Sequence, residues 1–151
     1  MSAISNELKN KIRREARNRC GYCLIPQEIV SMLFEIEHLR PIADGGTDEE
    51  ENLWLACRNC NGFKHAKTHA VDPQTNEKTS LFNPRTQNWN EHFEFSEDKT
   101  EIIGKTICGR ATVIALRLNF EQAVKARKVW VSAGWFPPKD LVENSERRKK
   151  I

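Results

Sequence analysis

Four of the five cysteines in this 151-residue chain stand in two pairs, Cys20 with Cys23 in RCGYC and Cys57 with Cys60 in ACRNCN. Where thiols stay reduced, paired C-x-x-C knuckles read as one tetrahedral zinc site rather than two disulfides. A redox dithiol or four buried thiols are the alternatives, and neither predicts paired knuckles. The 33 residues between Cys23 and Cys57 exceed the usual zinc-ribbon spacing, so the intervening segment is expected to be a functional insert held at its base by metal. Cys108, in GKTICGRA, is expected to be a small core residue.

A chain of this length fits one domain, residues 1–151, and 38% hydrophobic residues suffice for a modest core. No apolar run approaches the roughly 18 residues of a membrane span, and the opening MSAISNELKN lacks the apolar centre of a secretory signal. The expected location is the cytoplasm, with no membrane partner. The net charge of +3 hides a segregation: KNKIRREARNR near the start, ERRKK at the end, and DEEE between them. Local clusters therefore say more about partners than the total does.

Leu8, Ile12 and Ala16 at helical spacing predict a helix from about Ser5 to Asn18 that delivers the chain to the first knuckle. EIVSMLFEIEHL is rich in apolar and β-branched residues and reads as a strand, PIADGG turns, and ENLWLAC reads as a short return strand or extended loop. A helix follows the second knuckle directly, with Asn61, Lys64, His65 and Thr68 on one face. VDPQTNEKTSLFNPRTQNWN is turn-rich, EHFEFSEDKTEIIG predicts a hairpin, and a long amphipathic helix is expected from about Arg110 to Ala133. No internal repeat or low-complexity linker argues for a second domain.

The strand FEIEHL ends by setting a carboxylate beside an imidazole, Glu37 and His38, just before a proline and a glycine turn. Such a pair can hold a metal ion and activate water, or be an ordinary surface pair. The order of knuckle, Glu-His, Pro41, Gly45 and Gly46, Asn52 and Leu53, then CRNCNGFK with Thr68 after it, resembles the HNH endonuclease family. Thirteen residues separate His38 from Asn52 and eight separate Asn52 from Asn61, as suits that family's ββα-metal finger. The core match covers Cys20 to Thr68, and residues 80–138 look like the C-terminal extension of bacterial, notably cyanobacterial, members.

The resemblance implies an α+β fold: a ββα-metal finger stapled by a four-cysteine zinc site, flanked by an N-terminal helix and a C-terminal hairpin plus long helix. It implies cleavage of DNA, expected to be double-stranded, leaving a 5′ phosphate and a 3′ hydroxyl. Histidine changes charge near neutral pH and can accept a proton from water, so His38 is the expected general base. Glu37 and Asn61 are the expected ligands of one divalent cation, and an amide oxygen in place of imidazole favours magnesium or manganese over zinc. Asn61 can equally cap the following helix. His65, one turn on, is a candidate for the cation's shell, a phosphate contact or a solvated histidine. Asn52 is expected to hydrogen-bond backbone and fix the base. Lys64, Lys67, Arg13, Arg14 and Arg17 are the candidate phosphate contacts, and DEEEN is expected to point away from DNA. The alternative is a non-catalytic zinc-stabilised nucleic-acid-binding module of a defence or recombination complex; a purely structural interaction domain explains fewer residues.

Overall fold

The computed structural model describes residues 4–141. The basic ERRKK cluster lies outside the described residues. Helix α1 (Asn6–Glu15) starts where the Ser5 hydroxyl accepts the Leu8 N–H at 3.1 Å, with Glu7 in its first turn and Arg13 and Arg14 in its last complementing the helix dipole. It buries Ile12 completely, a side chain whose removal from water contributes about 1.5–3 kcal/mol. The helix stops short of the expected Asn18, because Arg17 and Asn18 take φ of 54° and 58° and turn the chain into the first knuckle.

Strand β1 (Glu35–His38) pairs antiparallel with β2 (Leu53–Ala56), Glu37 opposite Trp54 and His38 opposite Leu53. Only the end of EIVSMLFEIEHL is strand. Upstream, the Gln27 side chain accepts the Phe34 N–H at 2.7 Å and donates to the Met32 carbonyl at 2.9 Å, which holds a bend that leaves Met32 and Leu33 exposed. The loop from Pro41 to Glu49 turns through Gly45, at φ 85°, and Gly46, where any Cβ would collide with the Arg40 carbonyl. Gly21 is required for a similar reason: its N–H donates to the Leu55 carbonyl at 2.9 Å, and a side chain there would meet Trp54 and Pro84. That contact lays the first knuckle on β2.

Helix α2 (Arg58–Lys64) follows, and beyond it the chain makes two more hairpins, β3 (His69–Val71) with β4 (Lys78–Ser80), and β5 (Phe93–Phe95) with β6 (Ile102–Gly104). The first takes the end of the segment expected to be helical for its strand β3 and part of the segment expected to be turn-rich for its strand β4. Its strands are three residues long, and the Asp72 carboxylate organises its loop by accepting from the Gln74 N–H and the Thr75 hydroxyl. One-turn helix α3 (Trp89–His92) leads into β5.

The expected long C-terminal helix is two helices, α4 (Ile107–Ala115) and α5 (Glu121–Ala133). The break has a visible cause. Asn119 leaves helical geometry to accept the Ile102 N–H and donate to the Ile102 carbonyl, both at 2.8 Å, tying the α4–α5 connection to β6. One buried cluster joins Ile12, Tyr22, Leu53 and Leu55 to Phe82, Trp89, Phe93, Ile102 and Leu118, so the C-terminal elements pack on the finger that carries the knuckles. The Trp89 indole N–H donates to the Tyr22 carbonyl at 2.8 Å across that contact. Cys108 packs at the edge of this core, half-buried. Among the described residues no helix is long and apolar enough to cross a membrane.

Candidate active site and metal centre

The four knuckle cysteines converge. All are buried, and their sulfurs lie within 4.8 Å of one another, with Cys23 and Cys57 3.8 Å apart. Tetrahedral sulfurs around zinc at about 2.3 Å are separated by about 3.8 Å, so the cluster fits that ion. Hydrogen bonds from Cys20, Cys23 and Cys60 push the Cys57 thiol far down, whereas hydrogen bonds led by the one with Cys20, together with burial, push Cys23 and Cys60 up. Thiols bind zinc as thiolates, so metal binding here would release their protons.

The second knuckle sets the register of α2. The Cys57 sulfur caps the helix by accepting the Cys60 N–H at 3.4 Å, so Asn61 stands inside the helix rather than at its cap. Strand alternation puts Glu35 and Glu37 on one face of β1, and Asn61 and Lys64, one turn apart on α2, meet them in order. The Asn61 amide donates to Glu35 Oε2 at 2.5 Å, and the Lys64 ammonium lies 2.9 Å from Glu37 Oε1.

Glu37 is 1% exposed and Lys64 2%, and the Tyr22 hydroxyl donates to the same Oε1 at 2.7 Å. Burial raises the Glu37 carboxyl above the usual carboxylate range, with the Lys64 ammonium and the Tyr22 hydroxyl pulling the other way. Tyr22 is pushed well up by burial and by the Glu37 charge, which keeps it a donor. The other carboxylate oxygen, Oε2, is buried and without a partner. Lys64 also donates to the carbonyls of His38 and Leu39 at 3.3 and 3.2 Å. Its place as a phosphate contact is therefore corrected: all its donors turn inward.

Alternation directs His38 to the opposite face from Glu37. There its Nε2 lies 2.7 Å from Asp48 Oδ1, and both side chains are about one-third exposed or less. Asn52 holds the intervening loop shut by accepting the Arg40 N–H at 2.8 Å and donating to the carbonyls of Arg40 and Thr47. The backbone contacts expected of Asn52 are present, and they act by returning Asp48 to the ring.

Two further expectations need correction. His65 does not share a helix face with Asn61, because the helix ends at Lys64 and His65 leaves it at φ 49°, ψ −121°, exposed. Arg17 is bound elsewhere, its guanidinium 2.9 Å from Asp140, which also pairs with Arg19. Arg14 stays exposed on α1, Arg13 donates to the Asn10 side chain at 3.2 Å, and Lys67 is exposed with its ammonium 2.8 Å from the Phe63 carbonyl.

Three residues of the site escaped the sequence reading. Glu35 was findable, since period-two alternation puts it on the face of Glu37. Tyr22 sits inside the first knuckle, where its hydroxyl had no visible destination. Asp48 opened the acidic run read as pointing away from the site.

The HNH endonuclease family model matches residues 20–67, the span that holds both knuckles, the β1–β2 hairpin and α2. No curated protein and no solved structure matches the chain. Residues 20–67 are thus similar to the HNH endonuclease family, their four cysteines form a possible zinc site consistent with a zinc-stapled finger, and residues 80–138 lie outside the match.

Proposed function

We propose that this protein is a metal-dependent endonuclease that hydrolyses phosphodiester bonds in double-stranded DNA, leaving a 5′ phosphate and a 3′ hydroxyl. The observation that carries this reading is the His38–Asp48 pair at the end of β1, 2.7 Å between Nε2 and Oδ1. With the Nε2 proton donated to Asp48, the lone pair lies on Nδ1, which has no partner among the described residues. His38 takes a proton from water through Nδ1, the oxygen attacks phosphorus, and the bond to the 3′ oxygen breaks as that oxygen takes up a proton from solvent water, to which His38 later returns its own. Asp48 holds the tautomer and stabilises the imidazolium that forms.

On this reading Glu37 and Asn61 would hold one divalent cation, with the Lys64 ammonium displaced from Glu37. Glu37 Oε2 is a buried carboxylate oxygen without a partner, and the Asn61 amide oxygen is the neutral ligand on the facing helix. Glu35, in contact with Asn61, adds a second carboxylate. A magnesium or manganese ion held by these residues would supply positive charge to the phosphate and the departing oxygen. Arg13, Arg14 and Lys67 are the phosphate contacts this reading retains.

One observation favours a second reading. The Lys64 ammonium already neutralises Glu37, as a non-catalytic zinc-stabilised nucleic-acid-binding module would allow. Plasmid cleavage by a nuclease-free preparation, with and without magnesium or manganese, separates the two. The endonuclease cleaves only with the cation, and His38→Ala slows it by at least about 100-fold while leaving DNA affinity unchanged. A plasmid left intact by the wild type with every cation tried would overturn the catalytic reading.

A further inference from the structure

Arg127, on α5, is 3% exposed, and no carboxylate lies within ion-pair distance of it among the described residues. Its guanidinium donates only to neutral oxygens: the carbonyls of Leu118 and Thr100 and the Asn119 amide. A permanently charged group so deeply buried is costly unless an opposite charge is near. Arg127 lines a largely apolar cavity of about 270 Å³ together with Cys23, Cys57, Cys60, Phe63 and Trp130. Zinc held by four thiolates leaves two negative charges in excess, facing this same low-dielectric space. Burial pulls Arg127 downward, and the opposing influences are the charges of Cys23, Cys60, Cys57 and Cys20. Arg58 and Arg117 line the cavity too, but both are exposed, where solvent and salt screen them.

We propose that Arg127 is the buried counter-charge of the zinc tetrathiolate, a positioning residue through which α5 stabilises the loaded metal centre of the finger. The proposal rests on the four-cysteine zinc assignment and is independent of catalysis. It also gives the break between α4 and α5 a purpose: the turn at Leu118 and Asn119 supplies the oxygens that aim the guanidinium.

The test is zinc retention by the full chain against a competing chelator at fixed pH, comparing wild type, Arg127→Gln and Arg127→Lys. Glutamine keeps a hydrogen-bond donor without charge, and lysine keeps the charge with fewer donors. Arg127→Gln is expected to weaken zinc binding about 10- to 100-fold, as loss of a supporting group around a metal centre typically does, with Arg127→Lys close to wild type. Equal retention by Arg127→Gln and wild type would overturn the proposal. So would equal weakening in both variants, because hydrogen bonding rather than charge would then be responsible. Should Arg127→Gln fail to fold, Arg127→Lys decides alone: retention near wild type supports the counter-charge, and a tenfold or greater loss overturns it. Wild type purified without zinc would instead defeat the four-cysteine assignment, a separate failure read by metal analysis.

Discussion

At the scale of single residues, the finger carries two carboxylates with opposite tasks. Asp48, about one-third exposed, is paired with an imidazole; Glu37, sealed from water, is held by Tyr22 and Lys64. On the proposed reading, Asp48→Asn is expected to lower cleavage on the order of tenfold, less than loss of the proposed base His38, with DNA binding unchanged. Gel-shift and plasmid assays on the same preparation check it. Lys64→Ala belongs to stability rather than substrate grip. It leaves a buried carboxylate without its cation, which costs about 3–5 kcal/mol and drives Glu37 toward its protonated form. Denaturant unfolding should show that loss. A variant of wild-type stability and weakened DNA affinity would restore Lys64 to the surface role it was first assigned.

At the scale of elements, the two knuckles organise what lies between and after them. Cys57 is at once a candidate zinc ligand and the cap of α2, and α2 in turn presents Asn61 and Lys64 to β1. Cys57→Ser is therefore expected to release zinc and loosen the β1–β2–α2 unit, because structural zinc contributes of order 10 kcal/mol in small modules. Metal analysis with circular dichroism reads both losses. On the proposed endonuclease reading, cleavage should then fall indirectly, through displacement of Glu37 and Asn61.

At the scale of the whole molecule, the C-terminal elements brace the finger through Trp89, through Arg85 stacked over Trp54 at 5.0 Å, and through Arg127 near the knuckles. Asp72 anchors that half. Its inaccessible carboxylate accepts from two nitrogens of Arg110, both at 2.9 Å, which hold it well below the usual carboxylate range. A depressed folded-state value means stability fully present above the unfolded value, about pH 3.9, and lost as pH falls through the folded one. Thermal melts should thus show wild type losing stability steeply from about pH 4 downward. Asp72→Asn should melt lower at neutral pH and lose less on acidification, and parallel pH curves for the two would count against the pairing.

Spacing alone determined the knuckles, the Glu-His pair at a strand end, the clamping asparagine and the helix after the second knuckle. The knuckles depend on the ligand geometry of one ion, the Glu-His pair and the helix on residues close in sequence, and the Asn52 clamp was legible from its place in the motif although it reaches Arg40 across twelve positions. The fate of individual charges was decided only in three dimensions. Lys64 and Arg17 look alike in the sequence, yet one is buried against Glu37 and the other bound to Asp140, because burial and long-range pairing are set by what packs overhead. The same holds for His65, whose helical spacing lapsed when the chain left α2, and for the division of the long C-terminal helix, where two hydrogen bonds between Asn119 and β6 outweighed helix propensity. Asp48 became a partner of His38 only because the loop closed, a contact across ten positions that no local pattern encodes.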